Sequence, residues 1–383
     1  MIRNRILECA ASRRTQALDL LESLINVNSY WGNPEGVNRV GALVLDQIPQ
    51  ALKREYSVDS KGVQHHILTG PSGVKEKILL VGHLDTVFPP ESATTPFEIN
   101  DGKIMGPGTA DMKGGIVVMV QALRVLEELG LLEQIPFRIL MNGDEEVGSP
   151  FSSQMVREMA AEASCGLIFE CGGLGNQVVV GRRGVIRFNL TATGKARHAG
   201  VKEGPKASAI VELARMVLAL EGLNNHERSI SINVGTVQGG EANNIVPDLA
   251  RASFEFRFRD SGAEKEILAK VQEIVSSVTT PGCGATLETL HRRPCMVSVP
   301  GSDDLVSTLM DTARELGQSL ETEDRGGASD GNFLSEMGVP VIDGLGPGGD
   351  MDHSADEYIL EKSLYERTEL TALLLVRLAG LEG

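Results

Sequence analysis

Apolar and polar positions follow an α/β rhythm along the first half of the chain. Residues 15–30 carry apolar side chains at the three- and four-residue spacing of a helix, and residues 114–130 are predicted to form a helix that ends at Gly130. Three further segments are short and almost uniformly apolar, which is typical of strands that are buried on both faces. These segments are residues 77–83, 137–143 and 166–170. The pattern predicts an α/β domain with a mostly parallel sheet flanked by helices.

The pattern changes near residue 181. From there, strand-like segments alternate apolar and polar residues, as antiparallel strands with one exposed face do, and two helical patterns lie between them. The predicted order over residues 184–291 is βαββαβ, which resembles a ferredoxin-like α+β module. After this module the α/β pattern returns. We therefore expect a larger α/β domain formed by residues 1–180 and 293–383, with an inserted domain at residues 181–292.

Composition narrows the class of protein. The chain has 383 residues, 42% of them hydrophobic, which is enough to fill two cores. Its 52 acidic residues outnumber its 36 basic residues, and this charge disfavours nucleic acid and anionic membranes as partners. Apolar stretches fall short of the roughly 18 to 20 residues that cross a bilayer, and Arg13 and Arg14 interrupt the segment where a secretory signal would be apolar. We expect a soluble, cytoplasmic protein.

The first candidate for chemistry lies at the end of the strand predicted at residues 77–83. His83 and Asp85 are two positions apart, so their side chains point to the same side of an extended chain. Open α/β sheets bind ligands at the carboxyl edge of their strands, and a carboxylate beside a histidine often orients that histidine for a metal. A single HxD pattern is nevertheless more often a capped strand end than a metal site.

Other strand ends also carry acidic residues or a histidine. They are Asp111 in a glycine-rich loop before a helix, Glu145 and Glu146 after the second strand, Glu170 after the third, and His353 near the end of the chain. Each has an ordinary structural explanation, such as a helix cap or a solvated loop. Together they would place four carboxylates at one sheet edge, where mutual repulsion is unfavourable without a cation. The pattern therefore predicts a divalent metal site.

The residue types favour zinc in this site. It offers two histidines and several carboxylates, while the five cysteines of the chain are scattered and never spaced as CxxC. Cobalt and manganese are the alternative metals. Two ions would need a bridging ligand, for which the loop position of Asp111 is suited. Of the neighbours Glu145 and Glu146, one would bind metal and the other would transfer protons.

These residues and the segments around them resemble the M20 family of zinc metallopeptidases and aminoacylases, which includes glutamate carboxypeptidase, succinyl-diaminopimelate desuccinylase and acetylornithine deacetylase. The segments follow the order of the family along the whole chain: GHLDTV, GPGTADMKGG, GDEEVGS, FECGG, HAG, NNIVP and HSADEY. The resemblance implies two Zn²⁺ ions per subunit. One ion would be held by His83, Asp111 and Glu170, and the other by Asp111, Glu146 and His353.

The same resemblance assigns roles to neighbours of the ligands. Asp85 would orient His83, and Glu145 would act as general acid and base. The peptide bond between Asp111 and Met112 would be cis.

The resemblance also makes the inserted domain a lid that carries the contact of a homodimer. In the segment KARHAG, His198 would stabilise the tetrahedral oxyanion, either in its own subunit or across the dimer. Many relatives have SHAG here, so the neighbour of His198 departs from the common pattern. Asn244 and Arg257 match positions that touch the substrate, and Arg257 would pair with the substrate carboxylate. An alternative interpretation of equal weight is that Arg257 is an ordinary charged residue on the exposed face of a strand.

The sequence thus predicts a dinuclear zinc hydrolase, a metallo-exopeptidase that cleaves an amide bond next to a free carboxylate in a small peptide or N-acyl amino acid. FECGG and GGASDGNF favour the glutamate carboxypeptidase branch. The alternatives are an N-acyl amino acid deacylase, a desuccinylase or a dipeptidase of the same family, and a zinc-binding scaffold that has lost catalysis. Glu145 speaks against the scaffold, since an inactive relative would be free to lose its base. A dinucleotide-binding enzyme fails for want of a GxGxxG between a strand and a helix.

Overall fold

The computed structural model describes residues 2–75, 77–92, 94–201 and 204–381. The chain divides into two compact units. The first unit is Met1–Gly181 with Ser298–Arg325 and Ser329–Gly383, and the second unit is Arg182–Val297 with Gly326–Ala328.

The elements of the described residues follow in chain order. The helices are α1 (Ile2–Ser12), α2 (Arg14–Ile25), α3 (Pro34–Gln47), α4 (Gly114–Glu128), α5 (Ser152–Ala160), α6 (Ala209–Glu221), α7 (Ser261–Ser276), α8 (Ser302–Glu315), α9 (Gly331–Glu336) and α10 (Glu361–Leu378). The strands are β1 (Lys53–Val58), β2 (Gln64–Thr69), β3 (Lys77–His83), β4 (Glu98–Asn100), β5 (Lys103–Met105), β6 (Phe137–Asn142), β7 (Ala163–Ile168), β8 (Gln177–Arg182), β9 (Gly184–Thr193), β10 (Arg197–His198), β11 (Ser231–Gly239), β12 (Ile245–Val246), β13 (Leu249–Phe258), β14 (Gly284–Arg293), β15 (Glu321–Arg325), β16 (Val341–Ile342), β17 (Gly349–Asp350) and β18 (Tyr358–Leu360). Every helix in the described residues is too short or too polar to span a lipid bilayer.

A mixed sheet forms the centre of the first unit. Its strand order in the described residues is β1-β2-β6-β3-β7-β16. The neighbours from β6 to β16 run parallel, whereas β1 and β2 pair antiparallel at one edge. The three apolar segments that predict buried strands are β3, β6 and β7, and six of the seven residues of β3 are buried. The predicted α/β fold with a largely parallel sheet is confirmed.

The long apolar helix predicted at residues 114–130 is α4. It packs against both β3 and α10, so it is apolar on nearly all sides. At its start, a side chain on Gly115 would lie 1.8 Å from the backbone oxygen of Phe169. Glycine therefore lets the first turn of α4 approach the end of β7 at backbone distance.

The carboxyl ends of the parallel strands meet at one edge of this sheet. His83 is the last residue of β3, Glu145 and Glu146 lie in the turn after β6, and Glu170 follows β7 by two residues. Asp111 lies in the turn that leads into α4, so the approach of this helix to β7 brings Asp111 to the same edge. The topology thus collects residues that are far apart in the chain.

The second unit contains an antiparallel sheet with the order β11-β13-β9-β14. Its principal elements follow as β9, α6, β11, β13, α7 and β14, which is the predicted βαββαβ order. Ser208 begins α6 by accepting a hydrogen bond from the N–H of Val211, and Asp260 begins α7 by accepting one from Ala263. Alternate residues of β13 are buried in the core of this unit. The predicted ferredoxin-like module is confirmed.

Candidate metal centre and active site

The carboxylate of Asp111 lies between two histidines. Its Oδ1 atom is 2.9 Å from Nε2 of His83, and its Oδ2 atom is 3.2 Å from Nε2 of His353. The peptide bond between Asp111 and Met112 is cis, as the family resemblance implies. Each oxygen of one carboxylate therefore faces a different histidine, which is the arrangement that a ligand bridging two ions requires.

Each histidine is accompanied by a glutamate. Nε2 of His83 lies 3.7 Å from Oε1 of Glu170, and Nε2 of His353 lies 3.4 Å from Oε2 of Glu146. The side chains of His83 and Glu146 are almost fully buried, whereas that of His353 is 53% exposed. The structure thus brings all five predicted ligands together, with the histidine of one half buried and the histidine of the other half open to solvent.

A second contact holds the ring of His83. Its Nδ1 atom lies 3.0 Å from the backbone oxygen of Asp85 and 3.4 Å from Oδ1 of the same residue. Both neighbours are acceptors, so when the ring is neutral the proton stays on Nδ1 and Nε2 presents its lone pair to the cluster. The side chain of Asp85 was predicted to orient His83, and the structure adds that its backbone oxygen makes the shorter contact.

Burial and charge shift pKa values across the cluster. Burial opposes ionisation of Asp111, but hydrogen bonds from His353 and His83 outweigh it and hold the pKa of this carboxyl well below its usual range. The hydrogen bond to Asp111 is the main reason that the pKa of His353 is raised to about 11. Burial raises the pKa of Glu146 to about 8 and that of Glu170 well above its usual range.

The carboxylates of the cluster repel one another when they are ionised together. The Oε1 atom of Glu146 is buried and lacks a hydrogen-bond partner among the described residues. The charges of Asp111 and Glu145 both raise the pKa of Glu146 and of Glu170, so Glu145 lies close to both of these glutamates. A divalent cation would relieve this repulsion and give the buried oxygen a partner. The donor set of imidazole nitrogens and carboxylate oxygens fits zinc.

Ligand atoms approach one another closely in two overlapping groups of the described residues. The first group is His83, Asp111 and Glu170, and the second is Asp111, Asp352 and His353, each with all ligand atoms within 4.8 Å. The first group is the predicted set. The second contains Asp352, which sequence reasoning missed although it directly precedes His353.

The remaining predicted residues lie in the second unit. His198 is exposed at the end of β10, where its Nδ1 accepts a hydrogen bond from the N–H of Gly200. Asn244 is exposed, and its backbone oxygen accepts a hydrogen bond from Ala199. The role predicted for these two side chains at the metal centre stays a prediction.

Arg257 also lies in the second unit, on β13. Its Nε donates to Oε1 of Glu255 at 2.6 Å, and its Nη1 donates to the backbone oxygen of Gly326 at 2.9 Å. The side chain is 31% exposed. Arg257 thus already has an anionic neighbour, with which a substrate carboxylate would have to compete.

Asp330, to which the sequence assigns no chemical role, holds the loop after β6. Its Oδ2 accepts a hydrogen bond from the side chain of Asn142 at 2.6 Å, and its Oδ1 accepts one from Ser149 at 2.5 Å. These two residues flank the segment that carries Glu145 and Glu146. The segment GGASDGNF contains Asp330. Its hydrogen-bond partners lie about 180 residues away in the chain, so the segment alone does not identify them.

Comparison with known proteins places this geometry in a family. The family model of peptidase family M20/M25/M40 matches residues 79–377. Carboxypeptidase G2 from Pseudomonas sp. (strain RS-16) is 27% identical over 384 residues, which cover 98% of this chain and 92% of the relative. Succinyl-diaminopimelate desuccinylase from Gluconacetobacter diazotrophicus is 28% identical over 320 residues, covering 79% of this chain and 81% of the relative.

A solved structure agrees in fold. The aminopeptidase PepT from Bacillus cereus superimposes with a TM-score of 0.75 at 24% identity, covering 94% of this chain and 98% of that chain. The family model spans most of the sequence and includes every predicted metal ligand. The predicted family and the predicted class of metal-dependent hydrolase are both confirmed: the chain belongs to peptidase family M20/M25/M40.

Proposed function

We propose that the protein is a dinuclear zinc hydrolase that cleaves an amide bond next to a free carboxylate. The observation that carries this proposal is the position of Asp111, whose two oxygens face His83 at 2.9 Å and His353 at 3.2 Å. A carboxylate that served a single ion would not need a histidine beside each oxygen. Glu170 and Glu146 complete the two halves of the site.

The ions would polarise the scissile carbonyl and lower the pKa of a water molecule. Glu145 takes the proton of the attacking water and returns it to the leaving amine. Two observations support this role: the charge of Glu145 raises the pKa of both Glu146 and Glu170, and its backbone N–H donates a hydrogen bond to Asp85. His198 stabilises the negative charge that develops on the carbonyl oxygen. Each of these roles is part of the proposal.

We favour a carboxypeptidase activity that releases an amino acid such as glutamate. Carboxypeptidase G2 is the relative whose match covers 98% of this chain. Arg257 and Asn244 are the proposed contacts of the substrate carboxylate and backbone. The other relative is a desuccinylase, which keeps an N-acyl amino acid deacylase or a dipeptidase as the second candidate. Retention of Glu145 argues against an inactive scaffold.

The second unit would act as a lid and carry a homodimer contact. Its strand β11 is an edge strand of the sheet and is largely exposed. Val237 on this strand and Leu218 on α6 are large apolar side chains that are 57% and 74% exposed. Exposed strand edges and apolar side chains of this kind favour pairing with a second copy. A cytoplasmic location also remains a proposal, with which the free thiols of all five cysteines agree.

A substrate panel on metal-reconstituted protein tests the proposed function. The protein would be stripped of metal, reloaded separately with Zn²⁺, Co²⁺ or Mn²⁺, and assayed with folates, N-acyl glutamates, N-succinyl amino acids and dipeptides. We expect hydrolysis that depends on metal and is fastest for substrates with a free carboxylate beside the cleaved amide. Equal rates on substrates whose carboxylate is amidated would contradict the proposed specificity.

A further inference from the structure

Glu357 is buried beside the metal centre without being one of its predicted ligands. Its side chain is only 1% exposed. Its Oε1 atom accepts hydrogen bonds from the backbone N–H groups of Ala110 at 2.7 Å and Asp111 at 2.9 Å, and its Oε2 atom accepts one from Gly108 at 2.7 Å. One carboxylate therefore holds three N–H groups of the turn that presents Asp111.

The same residue belongs to the segment that presents His353. Glu357 follows His353 by four positions and directly precedes β18, which pairs with β5. Its backbone oxygen also accepts a hydrogen bond from the N–H of Gly106 at 3.3 Å. Glu357 thus connects the turn of Asp111 to the segment of His353 through both its side chain and its backbone.

These hydrogen bonds are costly to lose. Burial of a carboxylate is unfavourable unless its charge is met. The charge of Glu357 acts on the buried ammonium group of Lys113, but no ion pair joins these two residues in the described part of the chain. The three N–H groups supply the compensating dipoles, and hydrogen bonds to a charged group are stronger than neutral ones. Removal of the carboxylate would leave three backbone donors of the turn unpaired in a buried place.

We propose that Glu357 is a positioning residue for the dinuclear centre: by fixing the backbone of the turn from Gly108 to Asp111, it aims the two oxygens of Asp111 at the two halves of the site before any ion binds. The proposal rests on the dinuclear function proposed above. Asp111 belongs to both halves, so a shift of its backbone weakens both ions at once. Partners that orient metal ligands commonly contribute 10- to 100-fold in metal affinity.

Titration of the metal-free protein with Co²⁺ tests this role, because the visible absorption of bound Co²⁺ reports affinity, stoichiometry and ligand geometry without any turnover. In Glu357→Gln, one oxygen becomes an N–H₂ group that cannot accept from the backbone donor facing it. We expect this variant to bind both ions about 10-fold or more weakly with an altered spectrum. Glu357→Ala removes all three acceptors and should be weaker still.

Asp356→Asn is the matched control, since it removes one negative charge from the exposed residue next to Glu357. Its Co²⁺ affinity and spectrum should equal those of the wild type. Wild-type affinity and spectrum in both Glu357 variants would overturn the positioning role. If instead the wild type itself binds fewer than two ions, the dinuclear function fails, and that result does not depend on any Glu357 variant.

Hydrogen exchange on the metal-free wild type gives a second test that needs no variant to fold. We expect the backbone amides of Gly108, Ala110 and Asp111 to be protected before metal is added, because Glu357 already accepts from them. Exchange at the rate of unprotected amides, with protection only after Co²⁺ is added, would show that the ions and not Glu357 order the turn.

Discussion

The carboxylate of Asp85 accepts a hydrogen bond from the backbone N–H of Glu146, with 3.0 Å between the two atoms. Its other oxygen accepts one from the N–H of Glu145 at 3.3 Å and lies 3.4 Å from Nδ1 of His83. A single buried side chain therefore connects a ligand of one proposed ion, a ligand of the other and the proposed base. The spacing between these groups depends on Asp85 as much as on the strands that carry them.

Asp85→Asn should disturb both metal binding and catalysis. The amide keeps the size of the side chain, but it offers one acceptor oxygen where the structure uses two. We expect metal affinity or kcat to fall by about 10- to 100-fold, as is usual for groups that orient metal ligands. Isothermal titration calorimetry with Zn²⁺ and steady-state kinetics measure the two effects. Wild-type values for both quantities would show that the contacts of Asp85 do not matter.

Glu145→Gln separates chemistry from metal binding. The substitution keeps the shape of the side chain but removes the group that accepts the proton, so turnover should be abolished. The two bound ions should remain, because Glu145 is not a proposed ligand. Elemental analysis of the purified variant and an assay on the best substrate of the panel check these outcomes. Activity within a few-fold of the wild type would refute Glu145 as the base.

His198→Ala tests the proposed oxyanion contact. If this histidine stabilises the transition state, kcat should fall by ~100-fold or more while KM changes little. Mixing the variant with inactive Glu145→Gln protein, under conditions that exchange subunits, would restore activity if His198 acts across the dimer. A rate equal to that of the wild type would return His198 to an ordinary exposed residue of β10.

Arg257→Ala should raise KM for substrates with a free carboxylate. The loss of a hydrogen bond to a charged group, worth about 1.5 to 3 kcal/mol, corresponds to a KM increase of roughly 10-fold or more. Arg251→Ala is the control, because Arg251 is exposed on the same side of β13 six residues earlier. A KM that is unchanged in Arg257→Ala, or raised equally in Arg251→Ala, would favour the ion pair with Glu255 as the whole role of Arg257.

Metal affinity should rise with pH. In the metal-free protein, contacts with Asp111 and Glu146 raise the pKa of His353 to about 11, and burial raises the pKa of Glu146 to about 8. Both groups therefore hold protons at pH 7, and metal binding must release them. Both groups are proposed ligands of the same ion, so binding of that ion releases up to two protons. Its affinity should therefore rise by up to about 100-fold per pH unit below about pH 8, and by about tenfold per pH unit above it.

Calorimetry in buffers with different ionisation enthalpies measures this proton release directly. His353→Gln should reduce the number of protons released, because glutamine has none to lose at that position. His353 and Glu146 are both expected to hold protons, in part or in full, between about pH 6.5 and 8. A metal affinity that stays constant over this range would contradict their raised pKa values.

Some of the proposed ligands could be picked out from the sequence because they lie where a recognisable apolar strand ends. His83 and Glu170 are examples, since the strands before them are buried on both faces. The antiparallel edge of the sheet was harder to predict. Five of the six residues of β1 are exposed, so this strand lacks the apolar pattern of its neighbours.

The supporting contacts could not be predicted for a different reason. Glu357 is an ordinary acidic residue in HSADEY, and its partners are backbone N–H groups about 250 residues away that have no sequence signature. Asp352 comes near Asp111 in a segment where Met351 and His353 adopt left-handed backbone conformations, with φ values of 63° and 60°. Local geometry of this kind depends on the folded chain and not on the residue types.

Anomalous diffraction at the zinc edge, from crystals of the zinc-loaded protein, tests the central claim most directly. The account predicts two anomalous peaks about 3.5 to 4 Å apart, one on each side of the carboxylate of Asp111 and each about 2.0 to 2.2 Å from one of its oxygens. A single peak, or two peaks that do not share Asp111 as a ligand, would contradict it.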